Sequence, residues 1–247
     1  MNTVATNIPE SISPLSWDFK LGLIVPSWNT VMEREFQRLL PVHGSLHASR
    51  ISHNQDTEES LMEMLFKLEG AATLLAHAKV DAICFGCTGS GLVQEDVYLD
   101  RKFADKASLS LGIPVIATSD AVVKAMEHLR ISRVSVASPY EPWLNAHLKR
   151  YLNERGIVVT SIAGFGTQDH SNCSPKETLE LALSVVDSQA EAIFISCTNF
   201  RTLEIIEPLE NATGLPVITS TQASYWMMSE LIKKSNHSIQ GPGKLFS

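Results

Sequence analysis

Short apolar runs alternate along this chain with longer stretches of helical spacing. Leu21-Gly22-Leu23-Ile24-Val25-Pro26 is an apolar run closed by proline, the mark of a buried parallel strand. Residues 29–40 have helical character, with Thr30 as N-cap and Glu33 three positions on in a capping-box pattern. Residues 45–52 read as a second strand. Residues 57–78 read as a helix with Leu61, Leu65, Leu68 and Ala72 on one face. Residues 81–85 and 113–118 read as the third and fourth strands. The second half follows the same order: strands over 133–138, 158–162, 192–196 and 217–219, and helices over 141–153, 175–189, 199–209 and 224–233. Pro175 suits the first turn of its helix.

The halves also repeat in detail. Val80-Asp81-Ala82-Ile83-Cys84-Phe85-Gly86-Cys87-Thr88 matches Ala190-Glu191-Ala192-Ile193-Phe194-Ile195-Ser196-Cys197-Thr198. Further on, Gly112-Ile113-Pro114-Val115-Ile116 matches Gly214-Leu215-Pro216-Val217-Ile218. Val25 and Cys87 are 62 residues apart, and Ala137 and Cys197 are 60, a match in spacing that favours duplication. Strands alternating with helices imply parallel sheets covered by helices. The expected fold is therefore α/β, with two lobes facing each other and one thiol reaching a shared cleft from each side. Ligands of such sheets bind beyond the carboxyl ends of the strands. Cys87, Cys197, the 27–29 turn and the 138–140 turn all fall at that end.

Composition narrows the functional classes. Hydrophobic residues make up 44% and charged residues 19%, a globular balance. The net charge of -7 and the lack of a basic run argue against a nucleic-acid partner. No apolar stretch approaches the roughly 20 residues of a membrane span. Residues 1–16 are polar and do not read as a secretory signal. They are expected to form a flexible tail, as are residues 235–247. Four scattered cysteines do not make a disulfide framework, so free thiols in a reducing cytoplasm are expected. Cys84 lies within a strand and reads as a buried small hydrophobe; Cys173 reads as a loop or cap residue. His77 and His128 read as ordinary helix residues, and no metal site is expected.

A thiol acts as nucleophile or base only as thiolate, and a helix N-terminus favours that form. Both Cys-Thr pairs are expected to precede a helix start. The glycines of Gly86-Cys87-Thr88-Gly89-Ser90-Gly91 would let backbone N–H groups approach a small anion. No lysine follows this loop as in a P-loop, so a carboxylate suits it better than a nucleotide phosphate. Asn29 reads equally as a helix cap or a ligand group.

Pro26-Ser27-Trp28-Asn29-Thr30-Val31-Met32-Glu33 resembles the opening motif of maleate cis–trans isomerases, in the aspartate/glutamate racemase superfamily. The resemblance continues through Cys87-Thr88, Ser138-Pro139-Tyr140 and Cys197-Thr198 and spans about residues 21–228. It implies two pseudo-symmetric lobes, each a short parallel sheet flanked by helices, with the active site in the cleft between them. The lobes would be discontinuous: residues 17–116 with 218–234 for the first, 117–217 for the second. It implies no cofactor, a small dicarboxylate substrate and a homodimer. It assigns Cys87 as the nucleophile adding to an alkene carbon and Cys197 as general acid and base. Asn29 and Tyr140 would bind substrate carboxylate, with Thr88 and Thr198 beside them. The family has a further asparagine in the second-lobe loop, where Asn172 or His170 stands here. Trp28 would narrow the pocket.

The implied chemistry is consistent. Rotation about a double bond is blocked until the π bond breaks, and thiolate addition breaks it. Three other readings stay open: a two-thiol aspartate/glutamate-type racemase, an arylmalonate-type decarboxylase of the same fold, and a non-catalytic binder of small acids.

Overall fold

In the computed structural model, residues 18–233 and 240–247 are described, and their strands form two four-stranded parallel sheets. The first half contains β1 (Phe19–Pro26), α1 (Met32–Leu39), β2 (Gly44–Ile51), α2 (Glu58–His77), β3 (Ala82–Phe85), α3 (Gly89–Leu92), α4 (Leu99–Leu111) and β4 (Val115–Ala117). The second contains α5 (Thr118–His128), β5 (Arg133–Ser138), α6 (Pro142–Glu154), β6 (Val158–Gly164), α7 (Pro175–Ser184), β7 (Ala192–Ile195), α8 (Ile206–Thr213), β8 (Val217–Thr219) and α9 (Ser220–Lys233). Sheet orders are β2-β1-β3-β4 and β6-β5-β7-β8, the same arrangement twice. The expected α/β fold with two pseudo-symmetric lobes is the one observed.

The duplication reaches individual hydrogen bonds. Asp81 N–H donates to Lys20 C=O, and Glu191 N–H to Arg133 C=O, at 2.8 and 2.9 Å. The carboxylates of the same two residues accept back from Lys20 N–H and Arg133 N–H. At the far end of the strands, Gly86 N–H donates to Ile24 C=O and Ser196 N–H to Ala137 C=O. Each central strand is thus pinned at both ends, which places Cys87 and Cys197 at equivalent strand exits. The central strands β1 and β3 are buried almost throughout, as interior parallel strands require. One contiguous core runs through both sheets, from Ile24, Ile83 and Phe85 to Val134, Val136 and Phe194. A second cluster packs Phe36, Tyr225 and Met228 onto the other face of the first sheet.

The chain passes between the sheets twice. α5 leads from β4 into the second sheet, and α9 leads back from β8 to the first. The two helices pack on each other, with Thr118 and Ser224 hydroxyls 2.8 Å apart. The boundaries expected at 117 and 218 shift slightly: Ala117 pairs with Phe85 in the first sheet, and Ile218 and Thr219 pair in the second.

Several expectations are corrected. Residues 240–247 are not a loose tail: Leu245 is buried, Lys244 N–H donates to the Glu210 carboxylate, and Gln222 donates to Pro242 C=O. Residues 235–239 and the expected N-terminal tail, 1–16, lie outside the described residues. Thr30 does not cap α1. Asn29 Oδ1 accepts from Val31 and Met32 N–H instead, while Glu33 pairs with Arg50. Two helices had no counterpart in the sequence reading. α4 buries Asp100, Ala104 and Ala107, a stripe too small and too polar to stand out as amphipathic. α5 is buried on most sides because it lies between the lobes. The helix expected from residue 199 begins only at Ile206, after a loop and a 3₁₀ turn. No helix among the described residues is long and apolar enough to cross a membrane.

Asp100 is fully buried and accepts from Ser119 Oγ and Arg101 N–H. Burial raises its pKa to about 7 from the 3.8 of a free side chain, with Asp120 nearby adding to the rise and Arg155 opposing it. The folded protein therefore keeps this proton where the unfolded chain has lost it. Its contribution to stability falls as pH rises from about 4 to about 7. Asp100→Asn keeps an acceptor and cannot ionise, so its urea midpoint is expected to decline less over that interval than the parent's. Parallel declines would assign the pH dependence to other groups.

Candidate active site

Both thiols lie just past strand ends because tight glycine or strained geometry turns the chain there. A Cβ on Gly86 would meet Met32 Sδ at 2.5 Å and Ile24 C=O at 3.0 Å, so only glycine passes this point unshifted. Cys197 has φ of 94°, in a region that side-chain-bearing residues rarely occupy. Such a backbone costs about 1–3 kcal/mol and persists only where surroundings enforce it. Here Ser196 N–H is held by Ala137 C=O, and Cys197 N–H donates to Ser220 Oγ at 3.1 Å.

Ser220 Oγ also accepts from Thr88 Oγ at 3.0 Å, so one hydroxyl joins the two thiol loops. Three further bonds join the two halves here. Asn29 Nδ2 donates to Thr198 Oγ at 3.1 Å, and Thr198 Oγ donates to Gly86 C=O at 3.0 Å. Thr30 N–H donates to Asn199 Oδ1 at 3.0 Å. Asn29 thus caps α1 with its oxygen and ties the lobes with its nitrogen.

The cavity above this floor is lined by Cys87 and Cys197 together with Asn29, Thr88, Tyr140 and Thr198. These six expected site residues converge. Asn172 does not join them: its side chain is exposed and donates to Asp169 Oδ2 at 2.7 Å. His170, two residues earlier, is buried and faces the cavity. Of the two residues left open for the second-lobe loop, His170 is the one in place. The 3₁₀ turn at His170–Asn172 points its first residue inward and its last outward.

Three further lining residues had not been singled out: His53, Asp56 and Asn199. Asp56 Oδ1 lies 3.0 Å from His53 Nε2, and Oδ2 lies 3.6 Å from His170 Nε2. His53 Nδ1 lies 2.9 Å from Ser60 Oγ. His170 Nδ1 lies 3.5 Å from Cys197 Sγ. Trp28 stands between the two imidazoles, its ring centroid 5.3 Å from His53 and 5.4 Å from His170, and Tyr140 borders His170 at 5.7 Å. Gln168 Oε1 accepts from Asp56 N–H, closing a further contact between the lobes. The signal for His53 and Asp56 was positional: a polar His53-Asn54-Gln55-Asp56 segment follows β2 at the ligand-binding edge of the sheet.

The cavity is small, ≈ 20 Å³, about what one ordered water needs. Burial dominates the electrostatics. It raises the Cys87 pKa to about 11, against N–H donors of Ser90 and Gly89 and the Ser90 hydroxyl; the Asp56 charge adds to the rise. Cys197 is pushed up for the same first reason and by Asp56, against Asn199 N–H and the Tyr140 hydroxyl. The expectation that helix N-termini would favour thiolate is not met. Cys87 lies before the Thr88 cap of a helix of only four residues, and Cys197 precedes a loop. Burial pushes His170 down, towards the neutral imidazole, with Asp56 opposing. Among the described residues no group of three or more His, Cys, Asp or Glu side chains is arranged to hold a metal ion.

Comparison with known proteins sets this geometry in a family. The arylmalonate decarboxylase family model matches residues 21–246. The chain belongs to the arylmalonate decarboxylase family. The maleate isomerase of Geobacillus stearothermophilus is 24% identical over 245 residues, covering 93% of this chain and 97% of its own. The crystal structure of a Pseudomonas putida maleate isomerase superposes with a TM-score of 0.85 at 23% identity, covering 93% of this chain and 98% of the other. A Nocardia farcinica maleate cis–trans isomerase, with one cysteine replaced by serine and a covalently bound succinylcysteine intermediate, gives a TM-score of 0.84 at 20% identity over 92% of this chain and 98% of the other.

In this member of the arylmalonate decarboxylase family, Asn29 serves both the local turn and the contact between lobes. Asn29→Ala is expected to cost about 1–3 kcal/mol in urea denaturation, since it strips a buried acceptor and a buried donor together. Asn29→Asp keeps the oxygen that caps α1 and should recover part of that loss. Equal losses for both variants would show that the bond between the lobes carries the whole effect.

Proposed function

We propose that this protein isomerises maleate, or a close cis-alkenyl dicarboxylate, to the trans isomer through a covalent succinyl-cysteine intermediate. The observation that supports it best is the convergence of Cys87 and Cys197 from equivalent strand exits on one small cavity, with Asn29 and Tyr140 on its walls. The chain spans nearly the whole length of relatives named maleate isomerases, and one structural neighbour holds a succinylcysteine.

Cys87 enters as thiolate. Its sulfur forms a bond to one alkene carbon while the π pair moves to the neighbouring carbon, which takes the proton of Cys197. The new single bond rotates. Cys197 takes the proton back, the C–S bond breaks, and the pair returns to Cys87 sulfur. Asn29 and Tyr140 would hold a carboxylate, and backbone N–H groups after Cys87 and Cys197 would meet the charge that grows during addition. The cavity is tight, so water would be excluded from the intermediate once ligand is inside. The reading extends to a cofactor-independent enzyme acting as a cytoplasmic homodimer; sedimentation tests the assembly.

A second reading follows from the family's own description: decarboxylation of a malonate-type acid, with one thiol protonating the resulting carbanion. The paired thiols favour isomerisation.

Incubation with maleate in D2O, followed by NMR of the alkene protons, is expected to show fumarate. Cys87→Ala should abolish it. Cys197→Ser should abolish turnover as well. Folded, reduced protein that leaves maleate unchanged would refute the substrate. Full activity in Cys87→Ala would refute the nucleophile and turn attention to the decarboxylase reading.

A further inference from the structure

We propose that His170 is the proton reservoir of Cys197, held in place by Asp56, which His53 fixes in turn. Five side chains form a line of contacts across the cleft: Ser60 hydroxyl to His53, His53 to Asp56, Asp56 to His170, and His170 to Cys197. Asp56 and His53 come from the loop between β2 and α2, while His170 and Cys197 come from the other lobe. The line therefore exists only when the lobes are together, and the backbone bond from Asp56 to Gln168 keeps them so.

Asp56 Oδ2 faces His170 Nε2 at 3.6 Å, and Cys197 Sγ lies 3.5 Å from Nδ1; in the proposed relay the neutral ring carries its proton on Nε2 and offers the Nδ1 lone pair to the Cys197 thiol. Nε2 is otherwise a buried nitrogen with no hydrogen-bond partner, and Asp56, 3.6 Å away, is the carboxylate it faces. Around the ring, Asp56 and Asp169 favour its charged form, His53 opposes it, and Cys197 and Tyr140 border it. With no ligand, burial keeps thiol and imidazole both neutral. One proton can pass from Cys197 Sγ to His170 Nδ1, giving a thiolate–imidazolium pair whose positive end rests on Asp56.

This supplies a step that two buried thiols lack alone. Cys87 must lose a proton before its sulfur can add, yet burial opposes its ionisation. In the proposed sequence, Cys197 first gives its proton to His170. Cys197 thiolate then takes the proton of Cys87, which leaves Cys87 as thiolate and Cys197 as thiol beside an imidazolium. When Cys197 protonates the substrate carbon, the thiolate it becomes again faces that imidazolium. The reverse steps restore every proton. His170 holds one proton throughout and offsets the Asp56 charge while an anionic substrate is bound. His170 is thus a catalytic residue, in contact with a reacting sulfur; Asp56 and His53 are positioning residues.

The inference rests on the reading of Cys197 as a proton-transferring thiol, but thiol reactivity needs no substrate. Full-length Cys87→Ser protein is alkylated with iodoacetamide across a pH series, and the Cys197 peptide is followed by mass spectrometry. The Cys173 peptide, outside the cavity, is the internal reference. With His170 intact, the Cys197 rate is expected to level off through neutral pH. Adding His170→Asn should lower it at neutral pH by about 100-fold, the scale of a lost general base, and make it climb steadily with hydroxide. Asp56→Asn should give an intermediate profile, with Cys173 unchanged throughout. A His170→Asn profile that superimposes on its parent would overturn the proposal. Should that variant fail to fold by circular dichroism, Asp56→Asn decides: an unshifted profile there overturns it equally. A failed maleate assay with these profiles as expected would refute the substrate and leave the relay standing.

Discussion

One hydroxyl holds the site together. Ser220 Oγ, at the first residue of α9, accepts from Thr88 on one thiol loop and from the Cys197 backbone on the other. The strained φ of Cys197 depends on that bond, and so does the direction in which its sulfur projects. Thr198, turned the opposite way, returns a bond to Gly86 C=O and receives one from Asn29. The threonines that follow the cysteines therefore spend their hydroxyls on the contact between lobes. Duplication supplies the two thiols; these unlike, mutually facing bonds keep them at one cavity.

Burial sets the electrostatic character of that cavity. A thiol removed from water resists ionisation, and the few N–H groups near Cys87 and Cys197 reduce that resistance without reversing it. Asp56 makes matters harder for both sulfurs, which is why the two histidines beside it matter. Asp56 meets an imidazole at each carboxylate oxygen, His53 at 3.0 Å and His170 at 3.6 Å, in a place where no lysine or arginine lines the wall.

The repeat made much of the architecture legible. The strand exits at Cys87 and Cys197 and the alternation of strand and helix were all readable, because buried parallel strands leave continuous apolar runs. Asn29 and Tyr140 were legible through motif resemblance, and both face the cavity. What escaped notice had physical reasons. α4 buries alanines and an aspartate, so it lacks an apolar stripe. His53 and Asp56 sit in a polar loop that looks like solvent-exposed chain until the second lobe covers it. Asn172 and His170 are two residues apart, and only the 3₁₀ turn decides which faces inward. The effect of burial on the thiols was hidden because the sequence does not reveal how completely the lobes close.

The two passages of the chain between sheets have a mechanical consequence. They leave β4 and β8 at neighbouring points, and the helices they open, α5 and α9, lie against each other. Two bodies joined by adjacent straps can swing about the line of the straps, but they resist sliding or twisting. The cleft wall beside Ser220 is therefore the side the chain itself ties, while the wall of Trp28, His53 and Gln168 is held by side-chain contacts such as that of Gln168 with Asp56.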